Sequence, residues 1–518
     1  MKNYLKKIRK KLLVTDPVIF TDAPYRIEPG AHVPVVCHVV NQESLPYTIN
    51  KIRIELKKDG NILRSASALK KSVELTSFYW HKVILVPLPE DLKGFFEIDI
   101  KFEISINGKS YTILNDSYRN GHKPLRLLRA AEHLPMFENT CFGDIHYFKY
   151  ANLHDEFSSH ILPVSAEVAK ALGLQFFAAA DYKFDYPGTE TVVLKSENGD
   201  NEWEKFRKDI DSWNRNNDFV ILPAEEIRCK NLKGKDVDIL IINYPEYISS
   251  SSAKSTLKST SISIKELVSR AGSAAISVAR KPEKTVSFLS GLFSRKGYWT
   301  KNDLTLEGLT GLQILSSDNI FFHGSGLERW IQILLKGKKK YIVTDSDARG
   351  NFSRPLNIPG LPTKKQKDIN RYFGSIRTGL FCEPPFTKEK ICSSLKNGNS
   401  VITNGPLMEF SVRNEFGGKA IIGKTIKGSV FHLKYRAVST SEFGSLKTLK
   451  IYCGYLSSKK EECIYSKNFS REIDKETGEL VIEPPGKTAY LRGELISGKS
   501  PDNGFCLTNP IWINSSTF

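Results

Sequence analysis

The sequence predicts an α/β protein: a barrel of about seven strands with intervening helices, flanked by an N-terminal and a C-terminal β-sandwich. Three observations predict it. Apolar residues alternate with polar ones at Ile52, Ile54 and Leu56, and again from Ile98 through Ile100, Phe102 and Ile104 to Ile106, the period of half-buried strands. From about residue 140 the texture changes to short apolar runs separated by helical patterns, roughly seven strands in some 200 residues, which suits a closed barrel better than an open sheet. After about residue 408 strand patterns return without helices between them.

The length of 518 residues exceeds what one core organises, so several domains are expected. The reading places a basic tail at 1–14, a β-sandwich of immunoglobulin-like texture at 15–130, the barrel at 138–408 and a second β-sandwich at 409–518. The net charge is +18, but the basic residues are spread along the chain with no zinc-finger or RNP-type signature, so no nucleic-acid partner is expected. Lys2, Lys6, Lys7, Arg9, Lys10 and Lys11 precede only Leu12, Leu13 and Val14, too short an apolar run for an export signal. No apolar stretch is long enough for a membrane span. The eight cysteines form no C-x-x-C pair, which fits reduced thiols and a cytoplasmic location.

Each element has its own signal. Asp59-Gly60 and Asn107-Gly108 sit between alternating runs, where hairpin turns form. Pro163 before Val164 and Gly173 after Leu172 bracket a helix, and Leu174 to Ala180 reads as a strand covered on both faces. Glu202 to Trp213 has helical spacing. Phe219 to Leu222, Val237 to Ile242, Ala274 to Ala279, Leu312 to Leu315 and Lys340 to Thr344 read as strands. Ser263 and Glu266 form a capping box before a helix that ends near Gly272. Further helices are expected at Leu327 to Lys336 and Thr387 to Asn397. Val430 to Tyr435, Leu446 to Tyr452 and Thr488 to Ile496 supply the closing strands.

In a parallel barrel the reactive side chains lie at the C-terminal strand ends. Those positions hold Asp144 and His146, Asp181 and Tyr182, Glu225 and Glu226, Arg280 and Lys281, Gln313, and Asp345, Ser346, Asp347 and Arg349. Turn chemistry alone predicts glycine, asparagine and serine there, not this density of acids and cations, so this face is the candidate site. No G-x-S-x-G, Walker A or dinucleotide fingerprint is present, and the other histidines show no metal-ligand spacing.

The run Gly143-Asp144-Ile145-His146, with His154-Asp155-Glu156-Phe157, Gly173-Leu174 and Ala180-Asp181, resembles the opening motif of the polymerase-and-histidinol-phosphatase (PHP) superfamily. Gly337 to Gly350 resembles that family's late strand. Ser394 to Pro406, with Thr403-Asn404-Gly405-Pro406, is similar to the close of its carbaryl-hydrolase-like branch. The resemblance implies an α/β, PHP-type distorted (βα)7 barrel and a metal-dependent hydrolase of phosphoesterase or esterase type, with Zn, Mn or Fe at the strand ends and a small anionic or ester substrate.

The departures matter as much. Phe148, Tyr182, Arg280 and Arg349 stand where the family has histidines, and neither phenyl nor guanidinium ligates a metal. The resemblance leaves His146, Asp155, Glu226 and Asp347 as a reduced, mononuclear ligand set, with Asp236 a further candidate. It gives His146, Asp181, Arg280 and Arg349 as candidate catalytic residues. The alternative is a pseudoenzyme in which Arg280 and Arg349 replace the lost metal charge, pair with Glu226 and Asp347, and present a fork to an anionic ligand or partner.

Overall fold

A computed structural model describes residues 18–40, 46–77, 79–106, 108–115, 123–148, 158–181, 202–248, 262–282, 297–316, 325–348, 352, 372–483, 488–498 and 503–515. The chain divides into two compact units. The first comprises residues 1–133, 153–173 and 351–373, and the second comprises residues 134–152, 174–350 and 374–518.

The first unit is a β-sandwich, as its alternation predicts. One sheet holds Val18–Asp22, Val33–Val40 and Tyr79–Val86; the other is built on Tyr47–Lys58 and Gly94–Ile106. Ile52, Ile54 and Leu56 bury with Phe96, Ile98, Ile100, Phe102, Ile104 and Ile106 against Val33, Val35, Cys37 and Val39. The period of two therefore puts one face of each sheet into a shared core. Asp59 and Gly60 both have positive φ, +50° and +82°, which is the backbone a two-residue hairpin needs between Tyr47–Lys58 and Asn61–Ser67.

The second unit corrects the expected (βα)7 barrel. Strands dominate it, and only five α-helices occur among the described residues of the whole chain. Its main sheet runs in the order Tyr341–Asp345, Gly311–Ser316, Ile276–Ala279, Asp236–Ile242, Val220–Lys230, Phe176–Asp181, Thr140–Phe148, Arg377–Phe381, Ser400–Thr403 and Gly504–Thr508, then continues into the C-terminal strands. The pairing is mixed. Thr140–Phe148, Phe176–Asp181 and the start of Val220–Lys230 are parallel, and so are Ile276–Ala279, Gly311–Ser316 and Tyr341–Asp345. Asp236–Ile242 is antiparallel to both its neighbours.

The physical reason lies at residues 231–235. The Asn231 side-chain oxygen accepts the Lys233 and Lys235 N–H groups at 2.9 Å, and Gly234 has φ +72°. This is a tight turn. A parallel return needs a crossover of a dozen or more residues, so the two apolar runs read as separate barrel strands are the arms of one hairpin.

The sheet curls until its Tyr341–Asp345 end lies against Thr140–Phe148 and Arg377–Phe381. Thr344 N–H donates to Thr378 Oγ1 at 3.0 Å, and that hydroxyl donates to the Thr344 carbonyl at 2.8 Å. Asp144 completes the clasp. It accepts from the Ser346 hydroxyl, from Ser346 N–H and from Gly374 N–H.

The helix signals translate locally. Ser263 Oγ accepts Glu266 N–H at 3.2 Å at the start of Ile264–Ala271, and Thr387 caps Lys388–Asn397, which stops at left-handed Gly398 (φ +68°). Glu202–Asn216 and Ser325–Leu334 also form. Ser158–Ala171 starts earlier than expected and contains Pro163. In the C-terminal region Leu407–Asn414, Phe431–Val438 and Lys475–Ile482 make a separate small sheet with Lys419–Ile421.

Gly143 has no room for a side chain: a Cβ there would lie 2.4 Å from the Phe176 ring. Gly143→Ala is expected to lower stability by about 1–3 kcal/mol through overpacking, read as a lower urea midpoint. An unchanged midpoint would mean the Phe176 ring moves aside freely.

Candidate functional site

The strand ends of the second unit bring together His146, Glu226, Arg280, Lys281, Gln313, Asp345 and Asp347. His146 lies in Thr140–Phe148 and is fully buried. Its Nε2 is 2.9 Å from Glu226 Oε2 and its Nδ1 is 3.3 Å from Asp347 Oδ1. Each of the two carboxylates favours a positive charge on the ring. Burial opposes that charge and Arg280 adds to the opposition, but Glu226 and Asp347 outweigh both, and the His146 pKa is raised.

Arg280 follows Ile276–Ala279 and is the hub. Nη1 donates to Asp345 Oδ2 at 2.9 Å and Nη2 to Asp347 Oδ1 at 2.8 Å, while Nε stands 3.6 Å from Glu226 Oε1. Lys281 adds an Nζ donor to Asp347 Oδ2 at 2.7 Å. Consecutive strand residues point to opposite faces, yet both of these reach the same carboxylate. The kink that allows it is Lys281 itself, in the left-handed region at φ +46°; Asp347 is there too, at φ +52°. Such backbone costs a non-glycine residue about 1–2 kcal/mol, and it is retained at both ends of one ion pair. From the strand between them, Gln313 Nε2 donates to Asp345 Oδ1 at 2.9 Å and its Oε1 accepts Lys281 N–H at 3.2 Å.

The acids divide by environment. Burial works against the charge of Glu226, but Arg280 and His146 overcome it and hold its pKa at about 2. Asp347 is held well below the ordinary carboxylate range: burial opposes, and Arg280, His146 and Lys281 prevail. Burial raises Asp345 despite Arg280. Asp144, sealed beneath the site, is pushed to about 7 by burial and by Asp345, against the Ser346 hydrogen bond. Glu226, Asp345 and Asp347 thus share the cationic side chains of Arg280 and Lys281, with the His146 imidazole between Glu226 and Asp347. Asp345 is sealed, whereas the side chains of Glu226, Asp347 and Lys281 keep 9%, 11% and 17% of their exposure and form the open edge.

The remaining expected residues sit as follows. Asp181 ends Phe176–Asp181 in register with Glu225, and its side chain is outside the described residues. Asp155 and Arg349 lie outside the described residues altogether. Asp236 is at the far end of its strand, paired with Lys230. Asp345, the last residue of its strand, joins Asp347 beside His146, although it is not in the ligand set that the resemblance implies. His146, Asp345 and Asp347 each offer a ligand atom within 4.8 Å of the others. The anion-binding alternative is corrected by Arg280, whose guanidinium is spent on carboxylates and is 3% exposed.

No protein-family model matches the chain, and no curated protein matches it. Solved structures that align include beta-glucuronidases of Bacteroides uniformis (9% identity, TM-score 0.19, 97% of this chain and 61% of that one) and of Parabacteroides merdae (8%, 0.19, 97% and 64%). A glycosyl hydrolase family 2 member from Bacteroides cellulosilyticus aligns at 11% identity and TM-score 0.17, covering 96% and 78%. The chain therefore spans less than two thirds of the glucuronidases' length, and similarity at this level transfers neither fold nor activity. The resemblance to the PHP superfamily is overturned, and with it the metal-dependent phosphoesterase or esterase reading: no family model supports it, and the sheet is mixed and curled, without seven βα units among the described residues. Among the described residues no helix is long and apolar enough to cross a membrane.

Arg280→Met removes the hub and leaves three carboxylates facing only Lys281 and His146. The variant is expected to lose about 3–5 kcal/mol at neutral pH. Burial then dominates the acids and raises their pKa values, so the deficit shrinks as pH falls into the ordinary carboxylate range near about 4. Urea denaturation at two pH values checks both; an equal loss at each would contradict the charge account.

Proposed function

We propose that the strand-end cluster is a metal-independent acid–base centre, and that the chain hydrolyses an acetal or glycoside-like bond in a small, neutral, hydroxyl-rich molecule. The observation that carries this reading is the His146 imidazole held between Glu226 and Asp347 in a cluster whose acids Arg280 and Lys281 already pair.

The chemistry follows from the environments. A carboxylate at about 2 is a feeble base at neutral pH but stays charged throughout, which suits stabilising positive charge on a reacting carbon. His146 holds the proton that a leaving oxygen needs, and Glu226 and Asp347 connect it to the open edge. Lys281 at that edge and the buried Arg280 behind it are both bound to acids, so the groups left to meet a ligand are mainly acceptors. Glu226 Oε1, 3.6 Å from Arg280 Nε, is the acceptor with most capacity for a hydroxyl.

A second reading has one observation in its favour, the 4.8 Å clustering of His146, Asp345 and Asp347: a single divalent Zn, Mn or Fe held by those three residues. It requires Arg280 to withdraw from two of them.

Both readings meet one assay. Chromogenic glycosides incubated with purified protein in a strong chelator are expected to be cleaved at the same rate as without it, and Glu226→Gln to lower kcat/KM by about 100-fold or more. Activity that appears only with added divalent metal would establish the second reading, and no cleavage across the panel would overturn the first.

A further inference from the structure

Two of the eight cysteines meet inside the second unit. Cys141 lies in Thr140–Phe148 and Cys382 immediately follows Arg377–Phe381, with their Sγ atoms 3.7 Å apart. The antiparallel register sets the meeting: Thr140 faces Phe381, and Cys382 N–H donates to the Asn139 carbonyl at 2.8 Å. Cys141 is thus the diagonal neighbour of Cys382, and the sulfurs are in van der Waals contact. Cys141 is buried, whereas Cys382 is partly exposed.

We propose that Cys141 and Cys382 form a reversible dithiol–disulfide pair, oxidised by a low-molecular-weight disulfide such as oxidised glutathione. The sulfurs need to close from 3.7 Å to a bond of about 2.05 Å. Diagonal positions on paired strands are ordinarily about 7–8 Å apart, wider than most bridged cysteines. A bridge here draws the strands together, and strained bridges are the readily reduced ones.

The order of events follows from exposure. The Cys382 thiolate attacks one sulfur of the glutathione disulfide, whose S–S bond breaks; one glutathione leaves as thiolate and takes up a proton. Cys141 then gives its proton to solvent, and its sulfur attacks Cys382 Sγ, expelling the second glutathione. Two protein thiols are oxidised and one disulfide is reduced to two thiols. Cys382 suits the first step: hydrogen bonds from Cys141 and Ser394 and the charge of Lys390 lower its pKa, whereas Cys141 is raised by its contact with Cys382 and by burial. The bond ties the strand that carries Asp144 and His146 to Arg377–Phe381, so it acts on the scaffold of the site and not on its charged groups.

The exposed Cys463 is replaced first (Cys463→Ser) to prevent links between chains. The full-length variant is incubated with oxidised glutathione, its remaining thiols are alkylated, and its peptides are mapped without reduction. The expected result is a linked Cys141–Cys382 peptide, two fewer alkylated thiols and full reversal by dithiothreitol. Cys382→Ser in the same background is expected to leave Cys141 reduced. Both cysteines remaining alkylatable after oxidation, or a glutathione adduct that stays on Cys382, would overturn the proposal.

Discussion

The second unit depends on one guanidinium. Arg280 is buried among Glu226, Asp345 and Asp347, contributed by strands on either side of its own. Carboxylates sequestered together are costly unless a permanent positive charge lies among them. An arginine supplies that charge at every pH a protein meets, with donors arranged in a planar fork. The fork also holds geometry: it fixes the end of Ile276–Ala279 against Tyr341–Asp345 at the place where the sheet curls back toward Thr140–Phe148. Asp144, Ser346 and Gly374 lock the same closure from beneath.

That arrangement decides which chemistry the edge offers. With Arg280 and Lys281 paired to the acids, an additional cation is not required to assemble them. The His146 pKa is raised by the same two carboxylates that border the opening, against burial and Arg280. The left-handed Lys281 and Asp347 bring adjacent residues onto one target, and such backbone persists only where its surroundings hold it in place. The site is therefore preorganised by ion pairs drawn from the ends of several strands, and its two least-buried acids are the two that touch His146.

Much of the local structure was legible. Alternation at Ile52 to Leu56 and Ile98 to Ile106 marked the sandwich, Ser263 and Thr387 marked helix starts, and the strand-end position of His146, Glu226, Arg280 and Asp347 identified the cluster. Pairing direction was not legible, because a run such as Val237 to Ile242 shows that a strand forms but not beside which partner, and the Asn231–Gly234 turn was passed over. This error turned a hairpin into two barrel strands and lent weight to a resemblance that the topology does not sustain. Gln313 and Asp345 were visible as strand-end residues, but their convergence on Arg280 and Lys281 arises from the curl of the sheet and a left-handed kink, neither of which has a sequence period. The pairing of Arg280 with Asp347, by contrast, followed directly from charge: an arginine near clustered acids has to be answered by them.

The most direct test of the central claim, that a guanidinium and not a metal ion neutralises this cluster, is elemental mass spectrometry of the protein purified from metal-supplemented growth, beside Asp345→Asn. The account predicts far less than one equivalent of zinc, manganese or iron in either protein. One equivalent in the parent chain that is lost in Asp345→Asn would contradict it and would make His146, Asp345 and Asp347 ligands instead of ion-pair partners.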